Sequence, residues 1–141
     1  MPSEQELAAV FRVKLAKDML RRGLKVQSAA RRHLSGTAGH PRRVDTGDLR
    51  SSIQVTPTSF RGEPAVRVGT NRRHARWVHD GTGIYGPRHH KIVPRRAKAL
   101  VFGSKVYGAK SGKFKGKVVV RSVKGMKPNA FLRDALPAAA D

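Results

Sequence analysis

The segment from Ser3 to about Leu34 constrains this chain most, because it reads as one long helix. Ser3 and Glu6 form a capping box at its start, where the Ser oxygen and the Glu carboxylate satisfy free amide donors of the first turn. Apolar residues then recur at Leu7, Phe11, Leu15, Met19, Leu20, Leu24, Ala29, Ala30 and Leu34, a stripe with helical period. Gly23 is a candidate bend. Arg21, Arg22, Lys25, Arg31 and Arg32 crowd the second half, where cations suit the negative end of the helix dipole. "SGTAGHP", residues 35 to 41, closes the helix with small residues and a proline.

Shorter elements follow. "DTGDLRSSI" from Asp45 reads as a turn and a short helix, with Asp45 or Thr46 as the cap. Residues 53 to 55 and 65 to 68 read as strands, Val66 and Val68 sharing a face. In "NRRHARWVHDGT", Ala75 and Val78 stand at helical spacing with Trp77 between them, and Gly81 stops the helix. This reading places Trp77 and Val78 in the core. Residues 99 to 107 and 118 to 123 are β-rich and flank "GAKSGKFKGK", the pattern of a hairpin with a long basic tip. Pro128 opens a short C-terminal helix that turns Phe131, Leu132, Ala135 and Leu136 inward. Strands and helices do not alternate regularly, so the class is α+β. The expected architecture is a long N-terminal helix and a short C-terminal helix packed on an antiparallel β-sheet, with an extended basic hairpin. A single domain is expected, with the helix over 1–35, the core over 44–136 and the hairpin over 99–123.

Charge bounds the function. Thirty Lys and Arg against nine acids give a formal net charge of +21. Like charges repel, so a folded domain gains no stability from such an excess, and a polyanion partner is its natural reason. From Gly81 to Arg133 there are fourteen Lys or Arg and no acid. No stretch is long and apolar enough for a membrane span, and "MPSEQELAAVF" lacks the basic, then apolar, order of a signal peptide. No membrane partner is expected.

"RWVHDGTGIYGPRHH", residues 76 to 90, is where catalytic or metal chemistry would sit. His74 and His79 are five apart, about 140° around a helix, and so do not share a face. His89 and His90 are adjacent and would point to opposite faces of a strand. His79, Asp80 and His89 are free to meet in space, but two-metal hydrolysis needs clustered carboxylates, which nine scattered acids do not supply. Neither a nucleophile-elbow motif nor a phosphate loop is present. The expectation is no enzyme, no cofactor and no metal, with His74, His79, Asp80, His89 and His90 outside any catalytic role. Nucleic-acid reading motifs are missing too, and eight aromatics make a poor stacking platform. Charge without reading equipment implies phosphate contacts that are blind to sequence.

The order "VDTGDLRSSI", "VRVGTNRRHARWVHDGT", "GMKPNAFLRDAL" resembles the small head–tail connector, neck and tail-completion proteins of long-tailed bacteriophages. Thr46, Gly47, Leu49 and Ile53 match that family's first element. Ala75, Trp77, Val78, Gly81 and Thr82 match a later one, and Pro128, Phe131, Leu132, Ala135 and Leu136 match the closing helix. The chain departs from the pattern at His74, where an aromatic is usual, and at His79, where a Glu is usual. The basic segment 110–117 lies outside the pattern. The resemblance implies a non-enzymatic virion protein at the head–tail junction or tail top. It implies a homo-oligomeric ring of six or twelve copies around the DNA channel, with neighbouring head-closure and tail proteins as partners. Lys105, Lys110, Lys113, Lys115 and Lys117 are the candidates for touching genomic DNA or a neighbouring ring. The alternative is a monomeric basic nucleic-acid-binding protein, RNA-binding or chromatin-like, which oligomeric state would distinguish.

Overall fold

The structure is a computed structural model that describes residues 1–37, 39–103, 112–113 and 115–140. Its contacts divide into two compact units, Met1–His79 with Asn129–Asp141, and Asp80–Pro128.

The first unit is built around helix α1, Glu4–Leu34, about 46 Å long at 1.5 Å per residue. The capping box is formed: Glu6 N donates to Ser3 Oγ, and Ser3 N to the Glu6 carboxylate at 2.8 Å. Gly23 does not interrupt the helix; it is buried, and it marks where α1 meets the sheet. That sheet is a two-stranded antiparallel ribbon of β1 (Gln54–Phe60) and β2 (Glu63–Gly69), in register from Gln54↔Gly69 to Phe60↔Glu63. Arg61 and Gly62 join the strands with φ of +51° and +81°, the handedness that tight hairpins require. Val55, Val66 and Val68 are partly covered, while the outer half of β1 is exposed. A short helix α2, Asp48–Ser51, buries Leu49. Its cap is the left-handed Gly47, and Thr46 Oγ1 accepts from Asp48 N at 3.3 Å. Helix α3, Ala75–Asp80, buries Ala75 and Val78.

The core gathers Val26, Ala29, Ala30 and Leu34 of α1 with Leu49, Ile53, Ala75, Val78, Phe131 and Ala135. Asn129 ties it together. Fully buried, it donates from Nδ2 to the carbonyls of His33 and Pro41 at 3.0 and 2.9 Å, and its backbone N–H bonds Val78 O.

Two sequence expectations in this unit need correction. Trp77 is 60% exposed, because in a six-residue helix Ala75 and Val78 set the inward face and Trp77 points well away from it. Residues 131 to 135 are turns followed by a 3-10 helix, Leu136–Ala139, and not the expected helix from Pro128. Pro137 has no N–H to continue an α-helical ladder, and Leu136 N bonds instead to Arg133 O three residues back. Phe131 and Ala135 still face inward, but Leu136 is 62% exposed.

In the second unit two segments run side by side. Thr82 N bonds Met126 O at 2.9 Å, Ile84 N bonds Lys124 O at 2.8 Å, and Met126 N bonds Thr82 Oγ1 at 2.9 Å. Gly83 and Gly125 both have positive φ, and a β-carbon on either would run into the backbone of the opposing segment. A bridge joins Ile92 to Val123. Strands β3 (Leu100–Gly103) and β4 (Lys117–Val120) form the expected antiparallel hairpin, paired from Leu100↔Val120 to Gly103↔Lys117. The α+β class and antiparallel pairing are as expected, with the strands in two separate ribbons. Of the hairpin tip, Lys105, Lys110 and Phe114 lie outside the described residues.

Candidate nucleic-acid interface

The second unit, Asp80–Pro128, carries thirteen Lys or Arg and one acid, Asp80. Each of its described cations is exposed, Lys113, Lys115 and Lys117 of the hairpin among them. Lys127 stands 6.0 Å over the Tyr85 ring, a cation–π contact at the edge of the useful range.

A second basic surface lies on the first unit. Arg21, Lys25, Ser28 and Arg32 follow one another at three- and four-residue spacing along α1 and line a shallow groove with Leu24 and Ala138. Sequence reasoning noted these cations only as helix-dipole partners. Their spacing was the signal that they share a face. Arg21 and Arg22 both bond the Asp18 carboxylate at 2.7 Å, and those hydrogen bonds, Arg22's first, hold its pKa below the ordinary 3.8.

The histidines divide by surroundings. His79 lies edge-on to Phe131 with ring centroids 5.7 Å apart, while His74, His89 and His90 are exposed. Among the described residues, no group of three or more His, Asp or Glu is arranged to hold a metal ion. A pair that sequence reasoning missed is more closely coupled. His33 and His40 stack with centroids 4.0 Å apart, and His40 Nε2 meets Asp134 Oδ2 at 2.9 Å. The hydrogen bond from His40, then that from Arg133, lowers the Asp134 pKa. With a single carboxylate, this cluster fastens the residues after Pro128 to the loop after α1.

Several of the motif residues are packed or sit at helix ends, whereas Trp77 and Pro128 are exposed. Leu49, Ala75 and Phe131 are buried; Leu132 is half-buried; Thr46 and Gly47 cap α2. Gly81, at φ +81°, ends α3 against Met126 and Pro128, and Thr82 bonds Met126 twice. The polar stretch 76–90 is thus a helix end, a 3-10 turn at Gly83–Tyr85 and a hydrogen-bonded loop. Among the described residues, no helix is long and apolar enough to cross a membrane.

The model of one protein family, HK97-gp10_like, described as "Bacteriophage HK97-gp10, putative tail-component", matches residues 4–81, more than half of the chain. No curated protein and no solved structure matches the chain significantly.

Proposed function

This chain belongs to the HK97-gp10-like family of phage tail components, and we propose that it is a neck or tail-completion protein that assembles as a ring of six or twelve copies around the DNA channel. Family membership makes it a structural virion part that contacts other virion proteins, and favours this reading over a monomeric nucleic-acid binder. The observation that carries the channel role is the second unit's charge, thirteen cations to one acid with every described cation exposed. A passage for DNA of any sequence needs phosphate affinity without base readout, and an acid-poor basic surface supplies that. No catalytic step belongs to this role.

Two measurements test it. Native mass spectrometry should find a closed oligomer, and electron microscopy of virions carrying a tagged copy should find the tag at the head–tail junction. A protein that stays monomeric at tens of micromolar and is missing from purified virions would refute it.

A further inference from the structure

Helix α1 is clothed by the rest of its unit only along its second half. Every residue from Glu4 to Lys14 is exposed, including Leu7 at 55%, Val10 at 54% and Phe11 at 66%. This overhang is about 16 Å of helix. Leu7, Val10 and Phe11 stand at i, i+3 and i+4, one continuous apolar face, which is the anchor spacing of helices that dock in grooves. Glu4 and Glu6 flank that face on either side, two of only nine acids in the chain.

The same unit presents an apolar groove. Met19, Val66, Val68 and Leu136 line it, and Arg22 and Arg133 are the polar side chains among its described lining residues. Arg22 bonds Asp18 and the Ala139 carbonyl, and Arg133 bonds Asp134, so each guanidinium keeps donors to spare. A small ligand would need several convergent polar groups, which this lining lacks. A helix face with three apolar anchors between two carboxylates matches its apolar lining and its two cations.

The overhang cannot reach its own groove. Met19 and Arg22 are themselves on α1, and Phe11 lies roughly 12 Å from Met19 along the same unbroken rod. The complementary surface must come from another molecule, and a second copy of this chain carries it.

We propose that the first turns of α1, Glu4–Lys14, dock through Leu7, Val10 and Phe11 into the Met19–Val66–Val68–Leu136 groove of a neighbouring copy, with Glu4 and Glu6 meeting Arg22 and Arg133. The two surfaces differ, so the contact can repeat head-to-tail, and it builds a ring where the rotation between copies closes. It rests on the ring reading above and names the contact that would build the ring.

The chain has no cysteine, so engineered thiols give an unambiguous test. Phe11→Cys and Leu136→Cys both fall at exposed positions. Mixed and oxidised, the two proteins should give a covalent pair that neither gives alone. Phe11→Glu and Leu136→Glu should each raise the concentration for half-assembly roughly tenfold or more, with an unchanged circular dichroism spectrum. If the wild type assembles while both Glu variants keep its mass and the mixed thiols do not link, the docking is wrong and the ring stands. Self-linking of Phe11→Cys would mean a helix-to-helix contact and would also overturn it. A wild type monomeric at every concentration would overturn both readings. The thiol pair decides the matter if a Glu variant fails to fold.

Discussion

Gly23 of α1 lies directly against Val66 of β2: a β-carbon at position 23 would come within 2.6 Å of Val66 Cγ1 and 2.9 Å of Val55 Cγ1. Ordinarily Gly→Ala inside a helix stabilises by about 0.5–1 kcal/mol. Here the added methyl meets two β-branched side chains with little rotamer freedom, and overpacking of that kind costs about 1–3 kcal/mol. Gly23→Ala should therefore lower stability by about 1 kcal/mol or more in urea unfolding. Adding Val66→Ala, which removes the clashing methyl, should recover part of the loss. Additive losses would mean that helix and ribbon are not in close contact here.

Asn129 anchors two carbonyls on separate segments, those of His33 and Pro41. Removing its side chain leaves the part-buried Pro41 carbonyl without this donor and the His33 carbonyl with the Gly36 N–H at 3.2 Å, a loss of about 1–3 kcal/mol in all. Asn129→Ala should cost about 1–3 kcal/mol in equilibrium unfolding. A loss under about 1 kcal/mol would show that water replaces the amide at no cost.

Asp134 gives a pH dependence whose sign follows from its lowered pKa. The fold prefers the ionised carboxylate, so its contribution is present above the ordinary value of 3.8 and is lost as pH falls through the lower folded value. Asp134→Asn should be less stable than wild type at pH 6–7, and the gap should close as pH falls through the lowered folded value. Urea midpoints of both proteins from pH 7 down to about pH 1, below the carboxyl values of both the folded and the unfolded state, read this directly. A gap that stays constant across that range would mean the charge contributes nothing.

What was legible in the sequence was local. The Ser3–Glu6 cap, the stop at Gly81 and the apolar strands either side of residues 104–116 depend on neighbours a few positions away, and their residue types announce them. The same local view failed at Trp77, because a two-turn helix has room for one inward face and the smaller Ala75 and Val78 occupy it. It also missed the shift from α to 3-10 before Pro137. The apolar stripe of α1 was read correctly as a stripe, but periodicity does not tell how much of it the rest of a small unit can cover. The ribbon docks at Gly23, and Leu7 and Phe11 are left outside. The α1 basic face and the His33–His40–Asp134 cluster needed three dimensions, since the latter's members are up to about a hundred residues apart.

The last prediction distinguishes the two basic surfaces. Each phosphate neutralised by a cation releases counterions, so the slope of log affinity against log salt falls by about 0.9 for every contact removed. Lys113, Lys115 and Lys117 recur at every second residue, the last of them opposite Gly103 in the β3–β4 pairing. Together with Lys110 they carry four charges on a segment that has no acid to offset them. Replacing all four by Gln should weaken binding to duplex DNA equally for unrelated sequences and flatten the salt slope by up to about four counterions. The comparison is Arg21→Gln with Lys25→Gln and Arg32→Gln on α1, where the cations sit along a rigid helix beside a groove. If the hairpin faces the channel, the first set should change the slope and the second should leave it near the wild-type value. The reverse outcome would move the DNA contact to α1. An unchanged slope in both would mean that neither surface touches DNA phosphates, and that the charge serves neighbouring acidic proteins instead.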